Sequence, residues 1–100
     1  MEKYYLMAVE KDNSDAMNNL GLYHDEITKN YPEMEKYYLM AIEKGNSEAM
    51  YNLGCYHGDN KNYPEMEKYY LMAIEKGNSD AMYSLGYYHK NITKNYPEME

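Results

Sequence analysis

The sequence has no arginine, no phenylalanine and no tryptophan, and only one cysteine in 100 residues. Each shortage narrows the function. Ten lysines face seventeen Asp and Glu, for a net charge of −7. Nucleic-acid binding rests on clustered cations that displace counterions from phosphates, so this balance argues against it and favours a neutral or basic partner. Cys55 has no second cysteine to pair with, so no internal disulfide can staple the fold, and a reducing compartment is favoured. No apolar run approaches the ~20 residues that span a bilayer, and Glu2 and Lys3 place charge where a signal peptide turns apolar. The composition therefore predicts a soluble chain without a membrane segment. Its length allows one compact unit or one stretch of a linear array. With Phe and Trp missing, all fifteen aromatics are tyrosine, and every buried phenol needs a hydrogen-bond partner.

What is present is repetition. MEKYYLMA occurs at Met1, Met34 and Met66, and Met99 starts it again, at spacings of 33, 32 and 33 residues. The block from Met34 to Ser47 recurs unchanged from Met66 to Ser79, and the first copy differs only at Val9 and Asp12. The chain reads as one array over 1–100, with copies 1–33, 34–65 and 66–98 and the start of a fourth at 99–100. Both ends fall inside a repeat, so the array is expected to continue beyond this stretch. Alone, the stretch is expected to expose a stacking face at each end and to fray or self-associate.

Punctuation marks two helices, A and B, in each copy, which makes the fold class all-α. Pro64 suits the first position of helix B, where its fixed φ helps and its missing N–H costs nothing. The residue before a proline is pushed towards an extended conformation, so Tyr63 is expected outside the helix. Good helix formers run from Met66 to Lys76, and Gly77 can take the left-handed conformation that ends a helix. Asp12 replaces that glycine in the first copy at the cost of some strain. Helix A opens at Asn46 or Ser47, either a fair cap, and runs to about His57. Ala49, Leu53 and Tyr56 form one apolar stripe, and Met66, Tyr70, Ala73 and Ile74 form the other. Gly21, Gly54 and Gly86 sit inside helix A, where glycine costs roughly 1 kcal/mol relative to alanine. Close approach of helix B is the packing reason for them. Of the adjacent pairs Tyr4/Tyr5, Tyr37/Tyr38 and Tyr69/Tyr70, one ring is expected in the core and the other on a second face, because neighbours on a helix point about 100° apart.

Ala49-x-x-x-Leu53-Gly54, Lys61-x-Tyr63, Tyr69-Tyr70-x-x-Ala73 and Gly77 together resemble the Sel-1-like repeat, a relative of the tetratricopeptide repeat. The resemblance covers the whole chain in three registered copies. It implies a right-handed superhelical solenoid of antiparallel helix-turn-helix repeats that scaffolds protein complexes. Two departures stand out: the A-to-B connector lacks the family's Gly-rich extension, and Met1, Met34 and Met66 stand where the family has alanine. Carried over by position, a concave partner-binding face would comprise Asn18, Asn19 and Leu22 in the first copy, Tyr51, Asn52 and Cys55 in the second, and Tyr83, Ser84 and Tyr87 in the third. Amides at the equivalent Asn19 and Asn52, with Ser84, would hydrogen-bond the main chain of an extended segment. Tyr51, Tyr83 and Tyr87 would supply rigid aromatic contact area. Acidic Glu48 and Asp80 argue against the carboxylate-clamp ligands of tetratricopeptide modules.

No other motif points to chemistry. His24, His57 and His89 recur in the last turn of helix A, where they complement the helix dipole. Helices spaced ~8–10 Å apart do not bring three such rings within the ~2.1 Å that zinc requires, so no metal is expected. Cys55 is equivalent to Leu22 and Tyr87, a variable position rather than a nucleophile. Asn91-Ile92-Thr93 matches a glycosylation acceptor that the other connectors lack. Asp25, Glu26 and Asp59 lie in the connectors as solvated charges, with nothing to pair them for acid–base work. The expectation is a non-enzymatic interaction scaffold with no cofactor, binding a protein or peptide and neither nucleic acid nor membrane. The alternative is a structural spacer with no groove ligand. Cysteine-rich Sel-1-like proteins associated with β-lactam binding rely on a disulfide in each repeat, which a lone Cys55 cannot form.

Overall fold

An asparagine begins every helix A, and in the second and third copies its carboxamide serves two neighbours at once. Asn13, Asn46 and Asn78 hold extended backbone, and their side-chain oxygens accept from the N–H groups of Ala16, Ala49 and Ala81 at 3.0, 3.0 and 2.9 Å. That satisfies an amide which the helix leaves unpaired. The other half of the amide reaches back along the chain. Asn46 Nδ2 donates to Asp15 Oδ1 at 3.1 Å and Asn78 Nδ2 to the Ser47 carbonyl at 3.4 Å, each in the preceding helix A. Of the two caps the sequence offered, Asn46 rather than Ser47 is therefore the one used.

The structure, a computed structural model, describes residues 2–93. They form α1 (Glu2–Glu10), α2 (Ser14–Tyr23), α3 (Tyr31–Glu43), α4 (Ser47–Asp59), α5 (Tyr63–Glu75) and α6 (Ser79–Tyr88). Helices A are α2, α4 and α6, and helices B are α1, α3 and α5. Met1 and the start of a fourth copy at 99–100 lie outside the described residues. Short connectors fold each helix back on the last, and the closest packing runs from A to the following B, α2 on α3 and α4 on α5. Stacking these pairs gives an all-α solenoid measuring 45 × 25 × 17 Å, elongated as a linear array must be.

The uneven repeat length has a structural counterpart. In the 33-residue copies, helix A widens into a π turn, His24–Thr28 and His89–Thr93. In the 32-residue copy, α4 continues as α-helix to Asp59, two residues past the expected end at His57. One extra residue is thus taken up as a π-bulge and not as a longer loop. The expected boundary of helix B moves as well. Asn62 is the cap and its carbonyl accepts from the Met66 N–H at 3.0 Å, which draws Tyr63 into the first turn with Pro64 beside it. The restriction on a residue preceding proline is outweighed by that bond. Helix B ends as expected, with Gly45 and Gly77 at φ 84° and Asp12 bearing the strain at φ 66°.

The glycines inside helix A are where helix B comes closest. A Cβ on Gly54 would stand 2.7 Å from the Tyr70 ring and 3.3 Å from the Met66 carbonyl oxygen, and one on Gly21 would collide with the Tyr38 ring. Among the described residues nothing lies within 4 Å of such an atom on Gly86. Ala49, Leu53, Met66, Tyr70 and Ala73 are buried as the stripes predicted, with Tyr56 and Ile74 half-buried. Methionine fits at Met34 and Met66, both in the core; Met66 Sδ occupies space that a Cβ on Gly58 would enter at 2.9 Å.

The tyrosine pairs depart from expectation, because both rings of Tyr37/Tyr38 and of Tyr69/Tyr70 are buried. The second ring of each pair lies against a helix A glycine. The first is covered by a histidine: His24 stacks on Tyr37 with centroids 5.8 Å apart, and His57 on Tyr69 at 5.7 Å. Lys36 and Lys68 lie over the same tyrosines, 5.1 and 4.9 Å from the ring centroids. The recurring histidine is therefore a packing element of the A-to-B junction. In α1 the same pair is looser, with Tyr4 exposed and Tyr5 half-buried.

Candidate functional site

Residues one step off the buried stripe of helix A share one face of the solenoid, and the structure divides the nine of them among three settings. Asn18, Tyr51 and Asn52 belong to rungs between repeats. Asn52 Nδ2 donates to Asn18 Oδ1 at 3.0 Å, and the Tyr51 and Ser84 hydroxyls share a hydrogen bond at 3.4 Å. The rungs run diagonally, from the Asn18 or Tyr51 position of one repeat to the Asn52 or Ser84 position of the next. Asn18 is buried by this arrangement. The amides that the sequence offered to a peptide are thus partly engaged within the protein, since a neighbouring repeat supplies a donor or acceptor at fixed distance. Asn19 and Leu22 line a separate hollow of about 260 Å³ with Tyr5, Tyr23, Glu26 and Ile27.

The remaining four, Cys55, Tyr83, Ser84 and Tyr87, gather around a cleft of about 420 Å³ between α4 and α6. Met66 and Tyr70 rise into it from α5, and Gly58, Asp59, Tyr63 and Tyr88 complete its lining. Sequence reasoning assigned Tyr70 and Met66 to the core and overlooked them here. The signal was that their glycine-contacting stripe passes between two helices A, so its far end surfaces on the A face. Tyr63 and Tyr88 pack at 5.1 Å between centroids, and Tyr51 stacks on Tyr70 at 5.6 Å. Two rings from α6 are open to solvent, Tyr83 at 76% and Tyr87 at 59% exposure.

The phenols differ in their partners. Tyr70 Oη donates to Cys55 Sγ at 3.3 Å. Burial, and then Cys55, push its ionisation well above the ordinary phenol value, so it stays neutral. The equivalent Tyr38 meets Leu22 in place of a thiol, and its hydroxyl is buried without a hydrogen-bond partner. Burial and the nearby Asp25 and Glu26 likewise hold Tyr38 far above its usual range. Cys55 therefore acts as an acceptor for a buried phenol, a role that the variable position plays in this copy alone.

Carboxylates of the A-to-B connectors are also drawn together. Burial raises the Asp25 carboxyl above 3.8, Glu26 and Asp59 add to the rise, and Lys29 opposes it. These acids were expected to be solvated and independent; Asp25 is half-buried and interacts with acids of its own and the next repeat. Among the described residues no three His, Cys, Asp or Glu side chains converge for a metal ion. No described helix is long and apolar enough to cross a membrane. Asn91, in the glycosylation-like triplet, is exposed and donates through Nδ2 to the Tyr87 carbonyl at 3.0 Å.

A carboxyl that binds its proton more tightly folded than unfolded stabilises the fold at low pH, and that contribution is lost as pH rises through the folded value. Asp25→Asn is therefore expected to be more stable than the parent at pH 7, with the difference closing as pH falls through the raised folded value and gone below 3.8. Denaturant unfolding at a series of pH values checks this. A difference that persists unchanged at low pH contradicts it.

The Sel1 repeat model matches residues 14–46, 47–78 and 79–91, in units that begin at helix A where the sequence blocks above were counted from helix B. No curated protein matches the chain. Three consecutive family matches coincide with α2–α3, α4–α5 and α6, and the caps, glycines and tyrosines that define the repeat recur in register: the chain belongs to the Sel1 repeat family, whose repeats are in general protein-interaction modules.

Proposed function

We propose that the A-helix face, the concave side of the superhelix, holds a segment of another protein, and that the chain acts as a scaffold without catalytic chemistry of its own. The observation that carries this reading is the aromatic area of Tyr83 and Tyr87, exposed beside a cleft lined by further phenols. Rigid amphipathic rings at the edge of a cleft give contact area at small entropic cost, and such residues dominate binding energy at protein interfaces. The framework positions stay constant between copies while the face varies, Asn18 to Tyr51 to Tyr83 and Leu22 to Cys55 to Tyr87. A net charge of −7 favours a neutral or basic partner. The unpaired Cys55, engaged by Tyr70, fits a reducing compartment.

The groove reading is checked by affinity capture from a lysate of the source, comparing the parent with Tyr83→Ala/Tyr87→Ala. Both residues are exposed, so the variant keeps its helical circular dichroism. A protein held by the parent and lost from the folded variant is the expected result. Equal recovery by the two contradicts a role for this face and leaves a structural spacer.

A further inference from the structure

The cleft between α4 and α6 is unusual in its chemistry. Five phenols line it, and Asp59 is the one charged side chain among the lining residues. Among the described residues no lysine lines it. Two of the phenols, Tyr83 and Tyr87, are open at the mouth, while Tyr63 and Tyr88 pack together at the side. Tyr70 spends its hydrogen on Cys55, so it presents a neutral ring and an oxygen lone pair in place of a free donor. Ser84 offers a hydroxyl already oriented by Tyr51.

Resting on the reading that this face holds a protein segment, we propose that the cleft is an anchor pocket for one arginine side chain of that segment. Its guanidinium would stack on the Tyr83 and Tyr87 rings and donate to the Asp59 carboxylate. A cation is attracted to the face of a tyrosine ring, most strongly where water is excluded, and among cations the planar guanidinium both stacks and forks its donors to a carboxylate. The pocket has an electron-rich lining, a single acid and no competing cation. A volume of about 420 Å³ is near the lower end of ligand sites, enough for one long side chain and its flanking main chain.

Charge around the cleft is complementary on a wider scale. Asp59 lies close enough to Asp25 to help hold its proton, behind the larger effects of burial and Glu26. Acids from two successive repeats thus add to the field near one end of the cleft. That field steers a basic segment to the face before the side chain is seated. An acidic or phosphorylated segment meets repulsion at the same place.

The test titrates the labelled 100-residue chain with acetyl-Ala-Arg-Ala-amide and with the same peptide carrying citrulline, which keeps the shape of arginine without its charge. Tyrosine ring signals are followed by NMR at low ionic strength. The arginine peptide is expected to shift the Tyr83 and Tyr87 resonances and to bind roughly 5-fold more tightly than the citrulline peptide. Asp59→Asn is expected to reduce that preference, leaving the part that the two rings supply, and Tyr83→Ala/Tyr87→Ala to reduce it as well. Asp59 is exposed at the C-terminal end of α4, where loss of a negative charge suits the helix dipole, so the variant folds. Equal affinity for the two peptides, no binding of the arginine peptide, or a preference unchanged by Asp59→Asn overturns the proposal. These outcomes leave the groove reading intact if the Tyr83/Tyr87 variant still loses its captured protein. A captured protein indifferent to that variant removes the groove reading, whatever the peptides do.

Discussion

A tyrosine of helix B lies flat against a glycine of helix A, and the distance between the two helices follows from that contact. Tyr38 meets Gly21 and Tyr70 meets Gly54, each ring occupying the volume where any other residue would place a Cβ. Glycine inside a helix costs roughly 1 kcal/mol, and burying a large ring in close contact offsets it. The Tyr70 ring runs on from Gly54 to the lining of the cleft, where its hydroxyl meets Cys55. The floor of the cleft and the packing of the core are therefore one feature seen from two sides. The histidine at the end of helix A completes the junction by stacking on the neighbouring tyrosine, which explains why a Tyr-Tyr pair can be wholly buried in a chain without phenylalanine.

Much of this was legible in the sequence, because each framework residue has a local reason that recurs. Asparagine caps, the glycines that close helix B, the prolines that open it and the alanine and leucine stripes all follow from rules acting within one turn of helix. The features that escaped depend on contacts between repeats or on small energy differences. A one-residue difference in repeat length is visible, but whether it becomes a loop or a π turn depends on how the neighbouring helices already pack. Tyr63 enters its helix because one carbonyl at Asn62 finds the Met66 amide, a bond that outweighs the preference of a residue before proline.

The proposed binding face shows the same division. Its nine positions were carried over from the family resemblance, and they lie along the helix A row. Their roles differ because the superhelix offsets adjacent repeats, so side chains pair diagonally and Asn52 bonds Asn18 across the offset. The cleft could not be read from the row alone, since Tyr63, Met66 and Tyr70 enter its lining from helix B. Substituting Cys55 for Leu22 changes the partner of a buried phenol, and substituting Tyr87 adds a ring at the mouth. A constant frame thus presents a different surface in each copy, the property by which repeat proteins of this family serve as interaction modules.

The account makes the glycine-tyrosine contact responsible for the A-to-B junction, and glycine-to-alanine substitution in two copies tests it most directly. The stabilities of Gly54→Ala and Gly86→Ala are compared with the parent by denaturant unfolding of the 100-residue chain. At Gly54 the new methyl faces a tyrosine ring at 2.7 Å and a carbonyl at 3.3 Å, and a loss of about 1–3 kcal/mol is predicted. At Gly86 no described residue stands within 4 Å, and alanine is expected to gain about 0.5–1 kcal/mol from helix propensity. Opposite signs at the two sites support the account; a gain at both, or an equal loss at both, contradicts it.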